Sequence, residues 1–322
     1  MIGNFSYVRA GSVAEAVKAL SAKGAFVHAG GTDLMGCMRD QVFPVEKVVS
    51  ISGLKELRGI SAKPDGGLKI GALTTIAEVA EDPSVAGKYP ALAQAAAEVA
   101  SPQLRNQGTI GGNICQRPRC WYYRGDFRCA RKGGDICYAV GGENQYHAIF
   151  GGGPCFFVHP SDTAVALTAL DAQLTIAGPR GNRTVKIENF FVGPDKSLER
   201  ENILAPNEIV TEIHLPPMGA RARSSYRKVR TRGSWDFALV SVALALHYGE
   251  DGSIAAARVV LGGVAPYPWR AVAAEKVLAG KKPDPAVAAA AAAAALEGAS
   301  PLRDNAYKVQ MAKGAVEEAL LI

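Results

Sequence analysis

Thr109-Ile110-Gly111-Gly112-Asn113 opens the segment on which the fold turns, and His159-Pro160-Ser161-Asp162 closes it. Between them stand Cys115, Cys120, Cys129, Cys137 and Cys155, five of the six cysteines in the chain. Trp121, Tyr122, Tyr123 and Phe127 alternate there with Arg117, Arg119, Arg124, Arg128, Arg131 and Lys132, and glycines recur from Gly133 to Gly153. Neither a helical nor a strand period runs through the segment. A loop this long inside a domain has a function or an internal staple, and the cysteines are the candidate staple.

Outward toward the amino terminus, residues 101–108 break an alanine-rich helix expected over 89–100 and deliver the chain to the glycines. A second glycine pair lies in Ala29-Gly30-Gly31-Thr32-Asp33-Leu34, directly after a brief apolar strand at 25–28. Adjacent glycines after a strand allow close approach of a ligand and leave successive N–H groups free to form an anion-binding nest. One such pair is as a rule a tight turn. Two of them, each beside a threonine and a short polar side chain, suit the two halves of one pyrophosphate. Neither fits Gly-x-Gly-x-x-Gly with a following helix and a distant acid, so a Rossmann domain is not supported.

The rest of the chain supplies packing elements. A helix at 12–20 has Ser12 as its N-cap and Glu15 three residues on. Strands are expected at 45–51, 68–72, 173–177, 183–187 and 208–215, and helices from Thr74 and over 163–170. Pro216-Pro217-Met218-Gly219-Ala220 reads as a linker. Beyond it, strands at 224–232, 237–246 and 258–264 precede helices at 269–278, 285–296 and 304–320, the pattern of a small α+β layer domain. The tract Ala288 to Ala295 reads as a surface helix.

With 322 residues, 48% of them apolar, the chain can bury two domain cores. Its charge of +6 is modest and much of it sits in the cysteine segment, so nucleic-acid binding is not indicated. No run of eighteen apolar residues predicts a membrane span, and Met1-Ile2-Gly3-Asn4-Phe5-Ser6-Tyr7-Val8-Arg9 lacks the pattern of a signal peptide. The expected location is the cytoplasm, or the periplasm by co-export with a signal-bearing partner. Thiols in such a chain are normally reduced.

The spacing Cys120-x8-Cys129-x7-Cys137-x17-Cys155 lacks the tight knuckle of structural zinc sites. An iron-sulfur cluster can gather thiolates from a long wrapping loop. From spacing alone, metal binding, disulfides and plain buried thiols stay open. Arg119, Arg131 and Lys132 would offset the negative charge of a thiolate-ligated cluster and raise its potential. Cys115 and Cys37 are spare, and Cys37 is expected to pack as a small apolar residue.

The residues then match a family. Ala29-Gly30-Gly31-Thr32-Asp33-Leu34, Gly108-Thr109-Ile110-Gly111-Gly112-Asn113, Ser161-Asp162 and Tyr226-Arg227-Lys228-Val229, followed by an arginine-rich turn and Phe237-Ala238, occur in the order seen in the FAD-binding medium subunits of molybdenum hydroxylases. The chain resembles that xanthine dehydrogenase and carbon monoxide dehydrogenase family over essentially its whole length. Most members pass from Gly-Gly-Asn almost directly to the Ser-x-x-Asp segment, whereas this chain inserts some forty residues. The insertion resembles that of 4-hydroxybenzoyl-CoA reductase and of periplasmic aldehyde oxidoreductase medium subunits, which carry a [4Fe-4S] cluster there. Gly142-Glu143-Asn144-Gln145-Tyr146-His147-Ala148-Ile149-Phe150-Gly151 is more similar to the aldehyde oxidoreductase subgroup.

The fold implied is α+β: a two-lobed FAD-binding module of the PCMH type over 1–219, with lobes at about 1–55 and 56–219 and the cysteine-rich insertion at 115–158. A small α+β carboxy-terminal domain follows over 220–322. The resemblance implies that Ala29, Gly30, Gly31, Thr32, Asp33 and Leu34 with Thr109, Gly111, Gly112 and Asn113 bind FAD, joined by Ser161, Asp162 and Lys228. Cys120, Cys129, Cys137 and Cys155 match the cluster-ligand positions, and Cys115 a non-ligand cysteine. The function implied is electron transfer in a molybdenum-dependent aldehyde or aromatic oxidoreductase. A large molybdenum-cofactor subunit and a small subunit with [2Fe-2S] clusters would be partners, in a heterotrimer or a dimer of heterotrimers, with an external electron acceptor. No catalytic residue is expected in this chain. Two other readings stay open: the inward electron flow of a 4-hydroxybenzoyl-CoA reductase, and a zinc-stapled interaction module without redox activity.

Overall fold

The computed structural model describes residues 2–321. Met1, at the head of the amino-terminal segment read above, and Ile322, at the end of the second expected domain, lie outside it. Three sheets carry the chain. The first is parallel and three-stranded, with β3 (Lys47–Ser50) between β1 (Ser6–Arg9) and β2 (Ala25–His28). Parallel strands need crossovers, and helices Val13–Leu20 and Leu34–Arg39 supply them. Ser12 caps the first helix by accepting from the Glu15 N–H at 3.2 Å, and Ala16, Val17 and Leu20 pack beneath it with Val49 and Ile51.

The second sheet is antiparallel, in the order β4 (Ile60–Ala62), β5 (Leu68–Gly71), β8 (Ile209–Leu215), β6 (Gln173–Gly178) and β7 (Gly181–Lys186). Its β5–β8 pairing, Gly71 opposite Glu212, joins residues on either side of the cysteine segment. The third sheet, also antiparallel, runs β12 (Trp269–Arg270), β11 (Ile254–Gly262), β10 (Val240–Tyr248), β9 (Ala222–Val229).

Helices Pro90–Ala97 and Asp162–Ala169 lie between the second and third sheets. All eight residues of the latter are buried, as a helix must be when it offers no solvated stripe. One continuous core results, in which Leu68, Ile213, Leu92 and Leu167 pack with Tyr226, Ala243 and Val260 of the third sheet. Each large aliphatic side chain buried there stabilises the fold by about 1.5–3 kcal/mol. The far face of the third sheet is covered by Val272–Leu278, Pro285–Ala295 and Tyr307–Leu321.

Local differences from the sequence reading have identifiable causes. The alanine tract is no surface helix: Ala288, Ala291, Ala292 and Ala295 are buried in the carboxy-terminal core, because alanine lets helices approach closely. Trp269–Arg270 is a strand paired with β11, and the helix begins only at Val272. Residues 101–108 do more than break a helix, since Ser101 caps a new one over Pro102–Gln107. The Gly111-Gly112 pair sits inside a helical turn, Ile110–Ile114, rather than an open loop.

Candidate cofactor sites

The two glycine motifs are packed directly on one another. A Cβ at Gly30 would stand 2.0 Å from the Gln107 carbonyl oxygen, and one at Gly108 would touch Thr32 Oγ1 at 3.5 Å. Gln107 Nε2 donates to the Gly30 carbonyl at 3.2 Å. Gly31 has φ +73°, a conformation that glycine alone adopts freely. Among the described residues, no protein acceptor takes the N–H of Gly30, Gly31, Thr32, Asp33 or Leu34. Successive N–H groups without a protein acceptor on a turning backbone leave donors for an anion, and of these residues Thr32 and Asp33 line the cavity beside the motif.

The second motif is held from below. The Gly111 N–H donates to the Ala72 carbonyl at 2.9 Å, and a Cβ at Gly111 would meet Ala72 Cβ at 2.8 Å. Thr109 spends its hydroxyl as an N-cap, accepting from the Gly112 N–H at 3.2 Å. The Asn113 side-chain oxygen accepts from Ser161 Oγ at 2.5 Å and from Thr163 Oγ1 at 2.7 Å, while Ser161 Oγ in turn caps Asp162–Ala169. Thus Asn113 and Ser161, the borders of the cysteine segment, are tied to each other.

Of the residues named from sequence, Thr32, Asp33, Thr109, Gly112, Asn113, Asp162 and Lys228 line one cavity with ≈ 630 Å³ of empty space. Ala29, Gly30, Gly31, Leu34 and Gly111 do not line it, and Ser161 lines the adjoining cavity. Asp162 and Lys228 do not point free polar ends into the space. The Lys228 ammonium, 1% exposed, donates to Asp162 Oδ2 at 2.8 Å and to the Glu98 carbonyl at 3.0 Å, and Tyr226 Oη donates to Asp162 Oδ1 at 2.6 Å. Burial raises the Asp162 pKa, opposed by the Lys228 charge. Asp33 is committed in the same way. Its oxygens accept from Arg119 Nη1 at 2.5 Å, Arg124 Nη2 at 2.7 Å and the Arg117 N–H at 2.7 Å. Burial would raise its pKa, but Arg119 and Arg124 hold it below the usual carboxylate value. Asp33 therefore anchors the cysteine segment to the first glycine motif.

Cys120, Cys129, Cys137 and Cys155 all line a single cavity of ≈ 290 Å³ empty space, walled by Tyr122, Tyr123, Tyr138 and Phe157. All six cysteines are free thiols, so disulfides are not the staple. Cys115 lies outside this cavity and packs against the main core, and Cys37 is buried with Val42 and Tyr123 as a small apolar residue. Among the described residues, no three or more Cys, His, Asp or Glu side chains are gathered tightly enough to hold a single metal ion. Of the three cationic side chains expected to offset a cluster, only Arg131 lines the cavity. It is 1% exposed and ion-paired through Nη2 with buried Glu201, so its net contribution is smaller than the sequence implies. Arg131 Nε and Nη1 are nevertheless buried without a hydrogen-bond partner. Arg119 pairs with Asp33, and Lys132 Nζ donates to the Gly125 carbonyl at 2.6 Å.

A third cavity, ≈ 1020 Å³ of empty space and partly open to solvent, lies between these two. It shares Arg119, Pro160, Asp162, Asp236 and Phe237 with the glycine-motif cavity, and Cys120 and Phe157 with the thiol cavity. His159 lines it. That ring is buried, its Nδ1 accepts from the Ser161 N–H at 3.4 Å, and its Nε2 has no partner. Burial pushes the His159 pKa down to about 4, opposed by the Ile114 backbone and aided by the Arg119 charge.

The family model described as the FAD binding domain in molybdopterin dehydrogenase matches residues 3–218, and that of the CO dehydrogenase flavoprotein C-terminal domain matches residues 224–321. The chain belongs to the FAD-binding subunits of the molybdenum hydroxylase family. It is 37% identical to the aldehyde oxidoreductase FAD-binding subunit PaoB of Escherichia coli (strain K12), over 98% of this chain and 97% of that one. With the carbon monoxide dehydrogenase medium chain of Hydrogenophaga pseudoflava it shares 31% identity over 98% and 96% of the two chains. A solved structure of carbon monoxide dehydrogenase from that organism superposes with a TM-score of 0.80 at 30% identity, covering all of this chain and 97% of the other.

Around the glycine motifs of this FAD subunit, the structure adds residues that the sequence reading did not assign to the site. Gln116 and Arg119 lie only a few residues past Asn113, and they reach the cavity because the chain turns back after Ile114. Trp235 and Asp236 enter the cavity wall just after the arginine-rich turn at 227–232. Trp235 adopts φ +71° and donates its N–H to the Ala100 carbonyl at 3.1 Å, where Ala100 itself has φ +43°. Backbone held this way by non-glycine residues concentrates at ligand sites. No helix is long and apolar enough to cross a membrane among the described residues.

Proposed function

We propose that this FAD subunit also holds a [4Fe-4S] cluster on Cys120, Cys129, Cys137 and Cys155, and serves electron transfer within a molybdenum-dependent aldehyde or aromatic oxidoreductase. Substrate oxidation would take place on a large molybdenum-cofactor subunit, with a small [2Fe-2S] subunit between the two and an external acceptor beyond. The observation that carries this is the series of three neighbouring cavities with shared walls from the glycine motifs to the four thiols, with Cys120 in the wall of two of them. The free N–H groups from Gly30 to Leu34 suit a pyrophosphate, and the glycine-motif cavity between Thr32 and Asn113 suits the body of a dinucleotide. In the thiol cavity, the unpartnered Arg131 Nε and Nη1 suit a negatively charged group. In a four-iron cluster each thiolate binds its own iron, so four sulfurs spread around one cavity suit it better than a single zinc ion.

When bound, FAD supplies an exchange between two-electron and one-electron chemistry that no side chain offers. The residues supply position and electrostatics. Asp162, Lys228 and Tyr226 lock β9 to the helix beneath the site, and Asp33 locks the cysteine segment beside it. The domain division at about residue 219 is part of the same reading. The test is to purify the chain anaerobically with its co-expressed partners and to measure the iron, zinc and flavin of this subunit with its visible spectrum. About four irons and one FAD per chain are expected, and zinc without flavin would sink the reading. Cys129→Ser is expected to abolish the iron signal and leave FAD bound; unchanged iron would overturn the ligand assignment.

A further inference from the structure

The segment His147 belongs to resembles that of the aldehyde oxidoreductase subgroup, yet the proposed function gives it no task. His147 is buried, and its Nε2 lies 3.3 Å from Cys120 Sγ. Its Nδ1 is buried without a partner. The rings of Trp121, at 5.9 Å, and Tyr122, at 6.1 Å, enclose the imidazole. The carboxy-terminal domain holds the backbone beneath it: Asn305 Nδ2 donates to the His147 and Ala148 carbonyls at 3.0 and 3.2 Å. Lys308, with no exposed surface, donates to the carbonyls of Tyr146 at 3.0 Å, His147 at 3.1 Å and Gly263 at 2.7 Å. A fully buried ammonium is costly. Here two of its bonds fix the turn that carries His147, and the third ties that turn to Gly263, just after β11.

We infer that His147 is a positioning residue for the cluster of the proposed function, its Nε2–H donating a hydrogen bond to the Cys120 sulfur. In the free thiol either atom can be the donor. Once the sulfur binds iron it has no proton to give, and the contact persists only as Nε2–H···S. Such a donor draws charge from the thiolate and makes the cluster easier to reduce. The inference rests on the [4Fe-4S] reading and is separable from it by experiment.

The experiment uses the anaerobically purified complex, its cluster followed by EPR during a redox titration. His147→Leu removes the donor, and its cluster is expected to titrate at a lower potential than wild type with iron content unchanged. His147→Gln, which keeps an N–H donor, is expected to restore much of the shift. A His147→Leu protein with full iron and an unmoved midpoint overturns the inference and leaves the cluster reading standing. Should the leucine variant fail to take up iron, wild-type complex labelled with ¹⁵N-histidine decides. A weakly coupled nitrogen in the pulsed EPR spectrum of the reduced cluster supports the bond, and its absence overturns it. Wild type without iron overturns both.

Discussion

The glycine-motif site and the thiol site lie side by side yet are built from opposite materials. The first is made of backbone: Gly30 and Gly111 are places where a Cβ cannot fit, and five N–H groups stand free. The second is made of side chains, four thiols held by an arginine network that reaches back to Asp33 and Glu201. Backbone sites fail through steric intrusion, side-chain sites through loss of a charge partner. The two should therefore respond to different substitutions.

The largest effect is expected on the thiol side. Glu201→Ala would leave the buried Arg131 guanidinium without its partner, which costs on the order of 3–5 kcal/mol. A fall in melting temperature together with lost iron is expected, and a melting point within a degree of wild type would show that the network is not what holds the loop. Gly30→Ala places a methyl 2.0 Å from the Gln107 carbonyl oxygen. Overpacking of that kind costs about 1–3 kcal/mol, so FAD affinity is expected to weaken about tenfold or more while iron stays in place. Equilibrium dialysis and iron assay on the same sample would separate the two, and parallel loss of both would merge the sites into one unit.

Asp33→Asn touches both regions. Removing its charge from Arg119 and Arg124 is expected to speed proteolytic cutting within 117–145 several-fold, with a smaller loss of FAD. A loss confined to FAD would move Asp33 into the flavin site proper. The smallest effect is the pH response of His159. Its pKa in the fold is about 4 against an ordinary value of 6.5, so burial keeps it neutral. A depressed pKa means the unfolded chain binds the proton first, so this contribution to stability is complete above pH 6.5 and is lost as pH falls toward 4. Buried His147, also pushed down to about 4, responds over the same window, so His159→Phe is expected to reduce the slope of melting temperature against pH without abolishing it, and an unchanged slope would assign the pH response elsewhere.

The backbone site was the more legible of the two in sequence. Glycine at a forbidden Cβ position leaves a motif, and Gly30-Gly31 and Gly111-Gly112 announced themselves. The convergence of the four thiols could not be read from their spacing, because it depends on Asp33 and Glu201, which stand 70 to 91 residues from the arginines they hold. Lys228 has the sequence signature of an ordinary solvated lysine, and only the strand that carries it sets it against Asp162. The alanine tract misled for a related reason. Helix propensity is local, whereas burial is decided by what packs on it, here Val272–Leu278 and Tyr307–Leu321.

The tie between Asn113 and Ser161, 48 residues apart in sequence, has a consequence for how such a chain can change. Closing a flexible loop grows costlier only slowly with length, by about 0.6 kcal/mol for each doubling. A base already pinned by Ser161 and Thr163 on one asparagine oxygen can accept a short connection or a long one with little penalty to the sheets on either side. The cysteine segment is in that sense a module held between fixed ends. What lies between those two fixed hydrogen bonds, the proposed cluster included, can change without moving the glycine motif or the helix after it.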